Sequence, residues 1–255
     1  MAWAPCQYCP DQEDAMVISK LLRRRYIVLA VSALALVLAG SASADEGKIA
    51  LGAKMYDKWF KVIGAPKPED THKSWPSSNS KKKGNATHRC KACHGWDYSG
   101  KDGAYATGSY QTGITGVRAF AGANPADVVA ILKDATHGFE GAMLAEDMAA
   151  LAIFVTEGQV DMDKYIDRAS KKFTGDAAQG KEYYATICAN CHGADGMLPK
   201  DMAPLGEVAD KNPWEVLHKV LNGQPGENMP GLRALPAQVA ADVGAYTNLR
   251  SLGLI

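Results

Sequence analysis

At 255 residues with 47% hydrophobic side chains, the chain is long enough to bury one or two globular cores. Its 28 Lys and Arg balance 28 Asp and Glu, and a net charge of zero argues against a general affinity for nucleic acid.

The first stretch reads as an address rather than as structure. Arg23-Arg24-Arg25 precede the apolar run 26–38, small residues follow, and Ala42-Ser43-Ala44 fits a signal cleavage site ahead of Asp45. The run is short of the roughly 20 residues that span a bilayer. Residues 1–44 are therefore expected to be a cleaved signal peptide, with membrane association only if the segment stays uncleaved. The stretch before Met16 is long and acidic for such a signal, which makes Met16 an alternative start. Cys6 and Cys9 then belong to a discarded leader.

Helical spacing opens the mature chain. Ile49, Gly52, Ala53, Tyr56, Trp59, Phe60 and Ile63 fall on one face. Residues 64–88 follow as an inserted loop, rich in Pro and Ser, with Trp75 and Lys81-Lys82-Lys83. A solvated surface run is the first reading of the lysines, and a docking patch for an acidic partner is the second. Then comes Cys90-Lys91-Ala92-Cys93-His94, followed by a loop containing Gly and Asp. Asn124-Pro125-Ala126-Asp127 announces a capped helix, and 149–155 an apolar one.

A second pass of the same order follows. Residues 159–174 are polar and charged and read as a linker, helical in part around 163–170. Ala177, Gly180, Tyr183, Tyr184 and Ile187 lead into Cys188-Ala189-Asn190-Cys191-His192. Asn212-Pro213-Trp214-Glu215 repeats the helix start, with Trp214, Leu217, Val220 and Leu221 on one face, and 239–249 forms the last helix with Tyr246. No alternating pattern of useful length appears, so the expected fold is all-α. Its parts are domain 1 at 45–158 with the insertion 64–88, the linker, and domain 2 at 175–255.

The two Cys-x-x-Cys-His stretches carry the chemistry. Two thiols one helical turn apart can each bond one vinyl group of a haem, and the next residue brings an imidazole to the iron from the same side. Disulfides would ignore the His placed identically after both pairs, and a zinc site would gather the pairs in one module. Residues 1–44 hold four Lys/Arg and three Asp/Glu, leaving 24 and 25 in a mature chain whose four cysteines all lie in the motifs. That count fits an oxidising compartment. Covalent haem is attached after export, which favours the general secretory route over the twin-arginine one. Two haem c groups are expected, held by Cys90 and Cys93 and by Cys188 and Cys191, with His94 and His192 as axial ligands. Modules of about 100 residues bury limited apolar area, so each haem is expected to be part of its core.

The second axial ligand is less plain. Met229, in Glu227-Asn228-Met229-Pro230-Gly231, is the choice for the second haem, as Met197 and Met202 stand close behind the motif on the His side. For the first haem Met143 ranks ahead of His137 and Met148: it lies 19 residues after Asn124, against 17 from Asn212 to Met229, although Leu144 replaces the Pro. His72, His88 and His218 read as surface or helix residues.

On these residues the chain resembles the class I cytochromes c, and its tandem arrangement is similar to dihaem cytochromes of the bacterial periplasm. These include two-domain carriers and the haem subunits of oxidoreductases such as flavocytochrome sulfide dehydrogenase. The resemblance implies that Gly52 and Tyr56 meet Phe154, that Gly180 and Tyr184 meet Tyr246, and that Pro204 accepts a hydrogen bond from His192. It also implies a non-enzymatic electron carrier between redox proteins, one of them a dehydrogenase subunit. The alternative is a dihaem enzyme, such as a thiosulfate dehydrogenase or a peroxidase, with domain 1 catalytic and His137 or Lys133 as distal groups.

Overall fold

The computed structural model describes residues 46–251. The expected signal peptide, its cleavage site, Cys6, Cys9 and the Met16 start lie outside the described residues. Residues from Glu46 onward form one compact unit. It is mostly helical, and among the described residues no helix is long and apolar enough to cross a membrane.

The N-terminal half is built on α1 (residues 46–62), which buries Ile49, Ala53, Tyr56, Trp59 and Phe60 at the spacing read from the sequence. The short α2 (Cys90–His94) carries the first motif. Next, α3 (Pro125–Lys133) starts where Asn124 Oδ1 accepts from Ala126 N at 3.0 Å. Its neighbour α4 (Ala145–Glu157) begins earlier than the apolar run 149–155, because Asp147 Oδ2 accepts from the Leu144 amide and fixes the first turn. Close approach between α1 and α4 requires Gly52: a Cβ there would stand 2.1 Å from Ala150 O.

The C-terminal half repeats that crossing. In α5 (Ala177–Tyr183), a Cβ on Gly180 would stand 1.9 Å from Asp242 O of α9 (Ala237–Ser251). The chain continues from α5 through a π-turn, Tyr184–Cys188, into α6 (Ala189–His192), which completes the second motif. Next come α7 (Leu205–Lys211) and α8 (Pro213–Asn222), which buries Trp214, Leu217, Val220 and Leu221. Asn212 does not cap α8 with its side-chain oxygen; its Nδ2 donates to Glu215 Oε2 at 2.8 Å. The aromatic pairs also repeat, with Tyr56 and Phe154 rings at 5.4 Å and Tyr184 and Tyr246 rings at 5.3 Å.

Between the halves the chain is not a free linker. Where 163–170 reads as partly helical, a 3-10 turn, Met162–Lys164, leads into β1 (Ile166–Asp167), which pairs antiparallel with β2 (Lys172–Phe173). Met162, Ile166 and Phe173 are buried, and the Phe173 ring fills the space beside Gly244 of α9. From this hairpin Arg168 reaches Asp97 Oδ2 at 2.6 Å and lies over the Trp214 ring at 5.8 Å.

His218, read as a surface or helix residue, lies in α8 and inside the core. It is fully buried among the rings of Tyr56, Trp96, Tyr98 and Phe154. Its Nε2 pairs with Ala53 O of α1 at 3.0 Å and its Nδ1 with the Tyr98 hydroxyl at 3.3 Å. Helical spacing from Trp214 and Leu221 puts His218 on the buried face of α8 but cannot name the partners it meets from the other half. Beside it, Asp57 of α1 is ion-paired to Arg89, with Lys219 of α8 at 3.9 Å. Burial opposes that carboxylate, but the Arg89 and Lys219 charges outweigh it and hold its pKa low.

Candidate functional site

The two motifs share a local construction. In each, the residue after the His is a glycine whose carbonyl accepts from a tyrosine ahead of the motif, Tyr56 of α1 or Tyr184 of the π-turn that continues α5. Tyr56 Oη donates to Gly95 O at 2.7 Å, and Tyr184 Oη donates to Gly193 O at 2.7 Å. One hydrogen bond thereby fixes the end of each motif turn to the helix that crosses behind it. The cysteines are unpaired thiols; Cys90 is pushed up to about 12 and Cys93 and Cys188 to about 11, mainly by burial.

Around the first motif lies a cavity of about 440 Å³, within the range of cofactor pockets, roughly 300–1,000 Å³. Cys90, Cys93 and His94 line it together with apolar side chains that include Val128, Leu132, Phe139, Leu151 and Val155. His94 Nδ1 donates to Thr115 O at 2.7 Å, which fixes the tautomer and leaves Nε2 as the coordinating atom. Burial lowers the His94 pKa, and the neighbouring His137 adds to that, favouring the neutral imidazole a metal needs. Thiols, imidazole and apolar walls together fit a haem.

Wall residues of this cavity come from an unexpected source. The insertion 64–88 supplies His72, Ser74, Thr87 and His88 to its lining. The insertion is itself ordered by buried Trp75, whose indole donates to Asn79 O at 2.9 Å, and by Asn79, which donates to Ser109 O and Gln111 O. His72 and His88 thus stand at the cavity, not on a remote surface as expected. Of the lysine run, Lys82 lies over the Tyr110 ring at 4.6 Å, while Lys81 and Lys83 are exposed. Within the motif, Lys91 is buried between the Trp96 and Tyr110 rings and is pushed down to about 7 by burial.

Of the three residues ranked for the far side of the first haem, only His137 lines the cavity. Met143 is buried in the core ahead of α4, its amide bonded to Phe139 O, and it does not line the cavity. Met148 is buried within α4, as its place in the helix predicts. The chain between α3 and α4 thus places His137 at the cavity and Met143 in the core.

The second motif is more open. Cys191 is exposed, and Met197, Leu198 and Met202, which follow it, are exposed apolar residues that a haem edge can cover. His192 Nδ1 donates to Leu198 O at 3.1 Å, again leaving Nε2. The partner is Leu198 and not Pro204, which instead caps the start of α7. Met229 lies in the segment joining α8 to α9, half-buried against the core, and Gly223 permits the approach of its carbonyl.

In this C-terminal half, two thiols and a tautomer-fixed imidazole stand on one turn, backed by crossing helices, as attachment of a c-type haem requires. Residues 175–246 match the family model described as Cytochrome C oxidase, cbb3-type, subunit III. A domain of this kind carries covalent haem c and transfers electrons. No curated protein and no solved structure matches the chain.

Proposed function

We propose that the chain is an exported, periplasmic dihaem cytochrome c with tandem domains at 45–158 and 175–255, moving electrons one at a time between redox proteins. One partner is a dehydrogenase subunit that delivers electrons to it. Cys90 and Cys93 hold the first haem and Cys188 and Cys191 the second, with His94 and His192 as proximal ligands and Met229 as distal ligand of the second. When bound, each haem iron supplies a one-electron ferrous/ferric couple. The protein's own part is to hold each imidazole in one tautomer, to keep water from the apolar cavity, and to stiffen each motif turn through Tyr56 or Tyr184.

The observation that carries this reading is the repeat of one construction: a Cys-x-x-Cys-His turn whose His Nδ1 is held by a backbone carbonyl, at His94 and at His192. The experiment is an intact mass measurement of the secreted protein from a host that matures cytochromes c. The expected mass is that of residues 45–255 plus two haems, with no free thiol. A mass without haem, or with four titratable thiols, overturns the reading.

A further inference from the structure

We infer that the first haem is held between two imidazoles, His94 and His137, with Met143 taking no part; the inference rests on the dihaem reading above. The ring centroids of His94 and His137 stand 6.3 Å apart with planes 22° from parallel. Imidazoles on opposite faces of one metal place their centroids roughly 6 Å apart, given metal–nitrogen bonds of about 2 Å and ring radii of about 1 Å. Both rings line the same cavity as Cys90 and Cys93.

Tautomers point the same way. His94 Nδ1 is bonded to Thr115 O, and His137 Nδ1 to Asp134 Oδ1 at 3.1 Å, so each ring has only Nε2 left for a metal. The His137 turn is preformed: Asp134 Oδ1 also accepts from the amides of Thr136 and His137, each at 2.8 Å. The insertion braces it, with Ser74 Oγ donating to Thr136 O at 2.8 Å. The other two histidines at the cavity are otherwise engaged. His88 Nε2 bonds Asp70 O at 2.8 Å, His72 Nδ1 accepts from Ser74 N at 3.2 Å, and their rings meet edge-on at 5.0 Å. Met143 is buried in the core and does not line the cavity.

Two imidazoles close both axial positions, which leaves no open site for a substrate on the first haem and speaks against the enzymatic alternative. Met ligation raises the reduction potential relative to an imidazole pair. The first haem is then the more reducing of the two, and electrons run from it towards the Met229-ligated second haem.

The test is the absorption spectrum of the oxidised protein with both haems confirmed by mass. The expected long-wavelength band of thioether–iron ligation has the amplitude of one haem and is unchanged in Met143→Leu. In His137→Ala about half of the haem turns high-spin, and added imidazole returns it to low-spin. An amplitude of two haems that Met143→Leu halves overturns the inference, as does a His137→Ala protein that stays fully low-spin. Should His137→Ala fail to fold, the wild-type amplitude alone decides. A mass with fewer than two haems instead overturns the dihaem reading beneath it.

Discussion

The N-terminal and C-terminal halves use one crossing of helices to present one kind of motif, yet they enclose it differently. The first motif is walled in, partly by the insertion 64–88, which adds His72, Ser74, Thr87 and His88 to the cavity. The second half runs from α5 through a π-turn directly into its motif and leaves Cys191 and the apolar residues behind it exposed. The shared scaffold therefore sets where thiols and imidazole stand, while loop content sets how dry the site is and what faces the His. On the proposed ligation, that is how one scaffold yields two haems of unequal potential.

The largest expected effect breaks the comparison at its root. Cys90→Ser with Cys93→Ser removes one haem from the mass and leaves an apolar cavity unfilled, lowering stability by more than about 5 kcal/mol. The same pair of changes at Cys188 and Cys191 also removes one haem but costs less, because that site is more open. Thermal unfolding of both double variants ranks the two.

Next come the helix crossings. Gly52→Ala and Gly180→Ala each drive a methyl group into backbone carbonyl and are expected to cost about 3 kcal/mol in urea unfolding. Similar losses in both halves confirm that the crossings are equivalent; a silent change in either one refutes it.

A pH dependence of similar size follows from His218, which joins the halves. Burial, helped by Arg233 and Lys219 and opposed by Asp57, pushes its pKa down to about 4 from an ordinary 6.5. Between these values the unfolded chain binds the extra proton. Stability from this group is thus full above pH 6.5 and falls as pH drops towards 4, by about 3 kcal/mol in all. Replacing His218 with Phe should flatten that part of the urea-midpoint profile.

The smallest effects come from the tyrosine hydroxyls. Tyr56→Phe strips a buried carbonyl of its donor and should cost about 2 kcal/mol, whereas Tyr184→Phe, in the more open half, should cost about 1 kcal/mol. Chemical denaturation reads both.

Much of this was legible in the residues themselves. Both motifs, the Gly52–Tyr56 and Gly180–Tyr184 spacings and the Asn124 cap are local signals, readable because a helix repeats every few positions, whereas the aromatic partners Phe154 and Tyr246 come from the family resemblance. What escaped was long-range. His218 shares the α8 face of Trp214, Leu217 and Leu221, but its partners Tyr56, Trp96 and Phe154 come from other segments, which helical spacing cannot name. The polar stretch 159–174 looks solvated, yet its sparse Met162, Ile166 and Phe173 suffice to seat a hairpin. Counting residues along the chain ranks Met143 ahead of His137, but it cannot see which way a turn faces, and it is His137 that lines the cavity.

The most direct test of two unlike haems on one scaffold is a potentiometric titration of the mature protein followed at the haem absorbance. The account predicts two one-electron steps of equal amplitude, the lower one retained in Met143→Leu and moved by His137→Met. A single step carrying all of the haem absorbance would contradict it.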